Sequence, residues 1–445
     1  MLWAFRNPIR LVPLLYIIAI VLGTLLLWLP IARAGELGAP LSTALFTSVS
    51  AVAVTGLIVE DTPVYWSMFG QVSILILIQI GGLGTKTAAT FFALIVGRGF
   101  VLRRTVEREV EREQLSLSDA SYAIKLILAI TVIVETIATA ILTYRFHTLH
   151  EMPLATAFWH GLFQAVSAFN NAGFSTFSDS LMGFNRDAVI LLPIVFAVII
   201  GSLGFPVLQD LIKCGRNPSN WTLHSRITLY GTGFLLVAGF LVMLVAEGSN
   251  INTLGPMGWG ERALNALTHS AMPRTAGFNS LDVSAFRDET VLFNYVLMFI
   301  GGGSAGTAGG IKITTIAVLF TILIYQVRGL GDAEMDGRQI SNTLASQAVT
   351  VIMFALTAIF IATFYLSVRT PHSLTDIAFE SISAFATVGL SRGITGALPV
   401  DAQMVLVALM FIGRVGTITA ATWLAMGAVG RGSPKRASRL DPIIG

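Results

Sequence analysis

The pattern that decides the fold is FTSVSAVAVTGLIVED (46–61), which returns three times, as FQAVSAFNNAGFSTFSD (163–179), LTHSAMPRTAGFNSLD (267–282) and FESISAFATVGLSRG (379–393). Each copy has a short amphipathic run and then a small residue, a glycine and a large apolar residue. A second signature follows each glycine after 24 to 28 residues, as IGGLG from 80, IGSLG from 200, IGGGS from 300 and IGRVG from 412. Two motifs at a nearly fixed offset, found four times, predict four tandem repeats of about 110 residues, a period too long for a solenoid.

One glycine per repeat suits a filter made of backbone carbonyls. Rings of carbonyl oxygens replace the hydration shell of K⁺ in potassium channels, and glycine adopts the positive φ angles that turn successive carbonyls inward at no steric cost. A short helix that ends at such a loop also directs its negative dipole end toward the ion. The predicted ion-binding residues, through their backbone, are Val54, Thr55, Gly56, Asn171, Ala172, Gly173, Thr275, Ala276, Gly277, Thr387, Val388 and Gly389. The alternative is that these glycines only cap helices or let helices pack closely in a membrane bundle.

The composition of the chain indicates that lipid surrounds it. Hydrophobic residues make up 54% of the sequence and charged residues 12%, whereas soluble proteins carry about a quarter charged residues. The candidate membrane spans are the apolar runs at 11–31, 71–97, 122–144, 188–212, 227–246, 290–325, 344–368 and 402–429. The repeated segments between them are too polar to cross as helices, and non-helical backbone at membrane depth needs cover by protein or water. We therefore predict an all-α integral membrane protein with four tandem helix–pore loop–helix repeats, whose eight transmembrane helices surround one pore in a pseudo-fourfold arrangement.

The charge distribution sets the orientation of these repeats. Lysines and arginines concentrate at one set of loop ends, so the positive-inside rule places both termini in the cytoplasm. The basic tail is predicted either to contact lipid headgroups or a partner, or to remain solvated. The predicted units are 1–97, 98–215, 216–330 with a broken second helix, 331–430, and the cytosolic tail 431–445.

Other functional classes receive little support from the sequence. The single cysteine, Cys214, excludes an intrachain disulfide and a cysteine metal cluster. The six histidines are scattered and no catalytic motif accompanies them, so we predict no enzyme activity. No basic patch is interleaved with aromatic residues, so we predict no nucleic-acid binding. The competing mechanism is a cation-coupled secondary transporter with alternating access, but such transporters usually contain inverted repeats, whereas these four loops all enter from one side.

The sixth apolar run is interrupted by a glycine-rich segment. Each glycine costs about 1 kcal/mol relative to alanine in a helix, so we predict a broken helix whose loop lies below the filter; the alternative is a passive kink. The residues of this loop are Gly301, Gly302, Gly303, Ser304, Ala305, Gly306, Thr307, Ala308, Gly309 and Gly310. Arg414, one position past Gly413, is predicted to place a fixed positive charge beneath the filter. Lys312 is predicted either to anchor the loop to a carbonyl or a carboxylate, or to snorkel to the cytoplasmic interface.

A few more polar residues fall at membrane depth. Lys86 lies too far from the interface to snorkel easily, and Glu135 is a candidate partner for it. Arg274 and Glu380 are predicted to be structural, as an arginine–carboxylate pair behind the filter. The asparagines at 170–171 are predicted to hydrogen-bond the filter backbone rather than to ligate ions through their side chains.

The chain resembles the Trk/Ktr/HKT superfamily of potassium transporters, and most closely the eight-helix bacterial Ktr type. The motifs that carry the resemblance are VTGL (54–57), NNAGF (170–174), PRTAGFNS (273–280), TVGL (387–390), GGGSAGTAGGIKITT (301–315) and FIGRVG (411–416). The resemblance implies potassium uptake across the bacterial cytoplasmic membrane, in some members with sodium dependence, and no cofactor in this chain. It also implies a homodimer on a cytosolic ring of nucleotide-binding regulatory subunits. In such proteins the intramembrane loop and the pore arginine form the gate, and four filter glycines accompany selectivity for potassium over sodium.

Overall fold

The computed structural model describes residues 8–35, 37–101, 117–215 and 217–416, with side chains in all of these except 8–12, 85–101 and 117–123. The predicted tail at 431–445 and the end of the last apolar run, 417–429, lie outside the described residues. The side chain of Lys86 lies outside them as well.

Helices make up most of the described chain, and strands almost none of it. The α-helices are α1 (Pro8–Trp28), α2 (Leu41–Val52), α3 (Thr62–Tyr65), α4 (Met68–Val101), α5 (Leu117–Thr148), α6 (Leu154–Phe169), α7 (Ala188–Leu203), α8 (Phe205–Cys214), α9 (Leu223–Glu247), α10 (Trp259–Ala271), α11 (Asp288–Phe299), α12 (Ile313–Val327), α13 (Asn342–Arg369), α14 (Leu374–Ala386) and α15 (Val400–Phe411). Short 3-10 turns occur at Pro30–Ala32, Met182–Phe184, Pro218–Asn220, Val283–Ala285 and Thr395–Ala397, and a π-helical turn at Ile412–Gly416 follows α15. The strands β1 (Glu334–Met335) and β2 (Arg338–Gln339) form one antiparallel pair.

The long apolar helices lie on the outside of the bundle. Within the described residues, α5, α9 and α13 are each long and apolar enough to cross a bilayer, and α7 with α8 would make a fourth if the bent pair is one span. At most 28% of the apolar window of α5, α9 or α13 is buried inside the protein. Large side chains such as Phe234, Val245 and Phe360 are exposed on their outer faces. Apolar surface of this extent calls for a membrane or a partner to cover it.

The predicted span at 188–212 is not one straight helix. It bends by 96° between α7 and α8, at Gly204, whose φ of 90° and ψ of 150° are open only to glycine. Pro206 stands at the start of α8 and cannot donate a hydrogen bond back into α7. Hydropathy alone could not find this bend, because the residues on both sides of it are apolar.

The break predicted in the sixth apolar run is present. α11 ends at Phe299 and α12 begins at Ile313. The backbone between them closes on itself, since Gly301 N donates to Ile311 O at 2.8 Å and Ile311 N donates to Phe299 O at 3.2 Å. The two ends of the loop therefore lie side by side, where α11 ends and α12 is about to begin.

The four repeated segments fold as four short buried helices, each followed by non-helical backbone. These are α2, α6, α10 and α14, and each ends three to six residues before its repeated glycine. Their large apolar residues form the core, and the side chains of Phe46, Phe163 and Phe379 are completely buried. Long outer helices thus enclose short inner ones. This brings to the centre the four segments around the repeated glycines, which we call the glycine segments: residues 54–57, 171–174, 275–278 and 387–390.

A small hairpin between α12 and α13 was not predicted from the sequence. Its turn residue Asp336 accepts hydrogen bonds from Arg226 of α9 at 2.5 and 3.1 Å. This ion pair fixes the connection that follows the broken helix to the beginning of another helix.

We predict that Gly204→Ala lowers the thermal unfolding temperature of the protein in detergent micelles. An alanine there would adopt a strained backbone conformation that costs about 1–3 kcal/mol, and its Cβ would collide with the carbonyl oxygen of Ser304. Gly233→Ala is the matched control, because an added Cβ at Gly233 meets no atom within 4 Å. Equal unfolding temperatures for the two variants would show that the bend does not depend on glycine.

Candidate ion-conduction site

The four repeated glycines meet around one point. A Cβ built on Gly56 would lie 3.0 Å from the Cα of Gly173, and one on Gly173 would lie 3.0 Å from the Cα of Gly277. The corresponding distances are 3.1 Å from Gly277 to Gly389 and 3.1 Å from Gly389 back to Gly56. Each glycine is therefore the neighbour of the next, and the fourth returns to the first. We call this closed set the glycine ring.

All four repeats use the same backbone turn to reach the ring. The residue two positions before each glycine has a positive φ: 56° at Val54, 59° at Asn171, 71° at Thr275 and 51° at Thr387. We call these four the base residues. Three of them are β-branched, for which this conformation is rare and costs about 1–2 kcal/mol. The same strained geometry recurs at the corresponding position of all four repeats, which favours a functional constraint over chance.

A side chain at any ring position would strike the neighbouring loop. A Cβ on Gly277 would lie 2.6 Å from the carbonyl oxygen of Val388, and one on Gly56 would collide with that of Ala172. The glycines therefore serve two purposes: they take the positive φ, and they leave room for the carbonyls of the adjacent repeat.

One cavity of about 360 Å³ opens onto the ring and touches all four glycines. Asp61, Asp179 and Asp282 line it, together with Arg392. Arg392 is held by Asp376, with Nε 2.5 Å from the carboxylate oxygen. Burial alone would raise the pKa of Asp376, but hydrogen bonds from Arg392 and a neighbouring serine hydroxyl lower it below its ordinary value. The arginine is thereby paired, and three carboxylates remain to draw cations toward the ring.

Serines of the short helices fasten the glycine segments. Ser50 Oγ donates to Leu57 O at 2.7 Å and accepts from Gly56 N at 3.1 Å. Ser167 Oγ donates to Phe174 O at 2.7 Å, and Ser383 Oγ accepts from Gly389 N at 3.2 Å. These serines were not predicted from the sequence. The signal was there, because a serine precedes the glycine by six positions in three of the four repeats.

The glycines of the second signature are close-packing points. A Cβ on Gly81, Gly201 or Gly413 would collide with a carbonyl oxygen in the last turn of the preceding short helix, at Val52, Phe169 and Phe385 respectively. In the third repeat the helix is broken, and Gly301 instead faces Gly309 of its own loop.

The broken-helix loop, residues 301–310, lies against the base residues. Thr307 Oγ1 donates to Asn171 Oδ1 at 2.8 Å, and Gly309 N donates to Thr275 Oγ1 at 3.2 Å. Gly309 also packs so tightly against Thr387 Oγ1 that a Cβ there would collide with it. The loop therefore contacts three of the four repeats, on the side of the ring away from the cavity.

Two cationic side chains hold the carbonyls of this loop. Arg414 Nη1 donates to Thr307 O at 2.5 Å, and Lys312 Nζ donates to Ala308 O at 2.5 Å and to Gly309 O at 3.5 Å. Arg414 is 3% exposed and lies in the π-helical turn. The sequence predicted a carbonyl or a carboxylate as the partner of Lys312, and in the structure the partners are carbonyls.

The predicted arginine–carboxylate pair behind the glycine segments is wrong. Arg274 is fully buried, but Nη1 donates to Thr232 O at 3.4 Å, and it forms no ion pair with a carboxylate of the described residues. Glu380 is also fully buried and accepts from Ser391 Oγ at 2.6 Å, Arg392 N at 3.0 Å and Thr395 Oγ1 at 2.8 Å. These nearby donors belong to the loop after the fourth glycine and satisfy the carboxylate without Arg274.

The prediction for the asparagines at 170–171 is also wrong, since neither side chain bonds to the backbone of the glycine segments. Asn170 Nδ2 donates to Gln79 Oε1 at 2.6 Å, to Glu135 Oε1 at 3.2 Å and to the α6 carbonyl of Val166 at 2.9 Å. Asn171 bonds to the broken-helix loop instead. Glu135 thus contacts the second repeat from the side, at the level of the base residues.

Comparisons with known proteins agree with this architecture. A family model described as a cation transport protein, TrkH, matches residues 4–427. The chain belongs to this TrkH family. It is 36% identical over 419 residues to the Ktr system potassium uptake protein B of Bacillus subtilis, covering 94% of this chain and 93% of that protein. It is also 36% identical over 421 residues to the potassium/sodium uptake protein NtpJ of Enterococcus hirae, covering 93% and 92%.

The fold agrees with that of a solved family structure. The crystal structure of the potassium transporter TrkH from Vibrio parahaemolyticus superposes with a TM-score of 0.69 at 17% identity, covering 94% of this chain and 85% of that one. Membership of the TrkH family makes the chain a membrane protein of the cation transporter class.

We predict that Ser383→Ala lowers the unfolding temperature in detergent, whereas Ser381→Ala, two residues earlier in α14, does not. Removing the Ser383 hydroxyl leaves the buried Gly389 N–H without its acceptor, at a cost of about 1–3 kcal/mol. Both serines are fully buried, but Ser381 Oγ has no hydrogen-bond partner among the described residues. Equal unfolding temperatures in the two variants would contradict the anchoring role of Ser383.

Proposed function

We propose that this chain is the membrane subunit of a potassium uptake system and that K⁺ passes through the glycine ring. The observation that carries the proposal is the closed ring of four glycines above four strained base residues. Two relatives that match almost the whole chain are named for potassium uptake and for potassium/sodium uptake. Their names support K⁺ as the substrate of this chain.

The ring has the chemistry of a carbonyl filter. The carbonyl oxygens of Thr55, Ala172, Ala276 and Val388 lie against the glycine of the adjacent repeat. No carboxylate occurs in the four glycine segments, so the ligands for K⁺ are backbone dipoles that replace its hydration shell. The short helices α2, α6, α10 and α14 end at these segments and direct about half a negative charge each toward the path.

The broken-helix loop and Arg414 form the proposed gate. The loop contacts base residues of three repeats and therefore lies across the path of an ion that has passed the ring. Arg414 donates a hydrogen bond to the carbonyl of Thr307 in this loop and adds a fixed positive charge that repels K⁺. Opening requires that the loop move aside and that this charge be displaced or compensated. Gln79, Glu135 and Asn170 lie to one side of the ring and are proposed to be structural.

The wider arrangement remains part of the same proposal. It comprises eight spans in four pseudo-fourfold repeats divided at 1–97, 98–215, 216–330 and 331–430, with both termini cytoplasmic, in a bacterial cytoplasmic membrane. A homodimer and a cytosolic ring of nucleotide-binding regulatory subunits are proposed because the chain resembles the Ktr type, and its Bacillus subtilis relative is named as one protein of a Ktr system. A sodium dependence of uptake belongs to the proposal as well, in view of the relative named for both ions.

We predict that the purified chain in liposomes conducts K⁺ and Rb⁺ passively and excludes Na⁺, and that Gly56→Ser and Gly277→Ser admit Na⁺. The added side chain displaces a carbonyl of the adjacent repeat, so we expect discrimination to fall by about tenfold, equivalent to about 1.4 kcal/mol. Gly35→Ser is the control, because Gly35 also has a positive φ but an added Cβ meets nothing within 4 Å. The measurement is the initial rate of flux for each ion.

Two outcomes would overturn the proposal. Equal flux of Na⁺ and K⁺ in the native protein would exclude a selective filter. Flux only under an imposed proton or sodium gradient would favour the alternative, a cation-coupled secondary transporter with alternating access.

We predict that Arg414→Gln raises the basal rate of Rb⁺ uptake. The variant loses both the fixed charge and a charge-assisted hydrogen bond, and such a bond is worth about 1.5–3 kcal/mol, or roughly 10- to 100-fold in an opening equilibrium. Arg369→Gln is the matched control, since Arg369 pairs with Asp401 at 2.5 Å on an exposed surface. An unchanged rate in Arg414→Gln would remove Arg414 from the gate.

A further inference from the structure

Thr307 is bonded through its N–H, its hydroxyl and its carbonyl, and these bonds reach different parts of the proposed conduction site. Its N–H donates to Gly201 O of α7 at 3.1 Å, and its carbonyl accepts from Arg414 at 2.5 Å. Its hydroxyl donates to Asn171 Oδ1 at 2.8 Å and lies farther, at 3.4 Å, from Phe169 O at the end of α6. Thr307 is completely buried. One residue of the proposed gate thus fastens the second glycine segment to the pore arginine.

Asn171 depends on this bond for the orientation of its side chain. Asn171 is a base residue with a φ of 59° and is completely buried. Its Nδ2 has no hydrogen-bond partner among the described residues, so the hydroxyl of Thr307 is the side-chain contact that holds it. Gly201 keeps the space open, since a Cβ there would lie 2.9 Å from both Asn171 Oδ1 and Thr307 Oγ1.

A second bond ties the same loop to the third glycine segment. Gly309 N donates to Thr275 Oγ1 at 3.2 Å, and Thr275 is the base residue of that segment. The loop is therefore attached to two neighbouring quarters of the ring. A movement large enough to open the path must break both bonds, because both begin on the loop and end on the base of the filter.

We propose that Thr307 is a positioning residue that couples the filter to the gate, so that ion occupancy of the filter and opening of the gate favour one another. The inference rests on the proposed function. While the gate is closed, Thr307 holds the second glycine segment through Asn171. When the gate opens, that segment is released. Since linkage is reciprocal, an ion that prefers the released filter also promotes opening.

The coupling predicts a change in ion affinity from a substitution in the gate. In native protein, part of the ion's binding free energy is used to release Asn171, which weakens the apparent affinity. Thr307→Val keeps the shape of the side chain and removes the hydroxyl. We expect this variant to lower the Rb⁺ concentration for half-maximal uptake by about two- to tenfold, the equivalent of one buried hydrogen bond, and to raise the maximal rate.

Matched variants separate coupling from a loosened loop. Thr307→Ser keeps the hydroxyl and should retain the native half-saturating concentration. Thr314→Val removes a hydroxyl that lies 3.4 Å from Ser304 Oγ, in the same region but without a contact to a base residue, and should also retain it. Asn171→Leu should reproduce the affinity change of Thr307→Val, and the double variant should add nothing further, because both remove the same bond.

The experiment uses the full-length chain in liposomes, with Rb⁺ uptake measured over a range of Rb⁺ concentrations. Half-maximal thermal stabilisation by Rb⁺ in detergent gives a second readout that needs no flux. A lower half-saturating concentration in Thr307→Val and Asn171→Leu alone supports the coupling. A higher maximal rate with native half-saturation in both readouts would overturn it, since Thr307 would then act on the gate only. Loss of selective uptake by the native chain would instead overturn the proposed function.

Discussion

Four non-helical segments run through the centre of this helical bundle, and each carries backbone groups that lipid cannot satisfy. The N–H groups turn back toward the short helices: Thr55 N donates to Ser50 O at 2.8 Å, and Ala172 N donates to Ser167 O at 2.7 Å. The fourth segment repeats this geometry, since Val388 N donates to Ser383 O of α14 at 2.8 Å. Because these N–H groups bond to the short helices, the carbonyl groups of the same segments point the other way, toward the glycine of the adjacent repeat. Carbonyls grouped around one ring are also what a dehydrated cation requires.

The same chemistry explains how two buried cationic side chains are tolerated next to the proposed cation path. A buried ammonium or guanidinium group needs several strong acceptors to offset its lost hydration. Lys312 and Arg414 both donate hydrogen bonds to carbonyl oxygens of the broken-helix loop. In the proposed gate, the loop therefore satisfies these cations with the kind of ligand that the ring is proposed to offer to K⁺. Moving the loop separates these charges from their acceptors, and a compensating interaction has to come from elsewhere.

The sequence was sufficient to predict the features that depend on backbone conformation. Gly56 and its three counterparts, the break after Phe299 and the short inner helices all follow from glycine spacing and hydropathy, and each is present. Pairings between side chains could not be predicted in this way. Arg274 and Glu380 are both buried near the centre, and only the local donors of the fourth loop decide that Glu380 has no need of the arginine.

The bend at Gly204 shows a second limit of sequence reasoning. The apolar run continues through it, so periodicity and hydropathy both predict a straight span. The loop of another repeat packs against the bend, and the backbone at Ser304 occupies the space that a Cβ at Gly204 would need. Such constraints come from residues about a hundred positions away and have no local signature beyond a glycine near a proline.

The four repeats are alike at the ring but differ immediately beneath it. The base residues are Val54, Asn171, Thr275 and Thr387, and the three polar ones are those that the broken-helix loop contacts. The side chain of Val54 has no hydrogen-bonding group, so it cannot form a bond to the loop of the kind that Asn171 and Thr275 form. In the proposed filter, the ring thus keeps similar carbonyl positions for an ion that has no orientation, while the base residues differ in the way that contact with a single loop requires. Under the proposed function, the similarity of the four glycines suits ion binding and the differences among the base residues suit the gate. The two levels lie only two residues apart in each repeat.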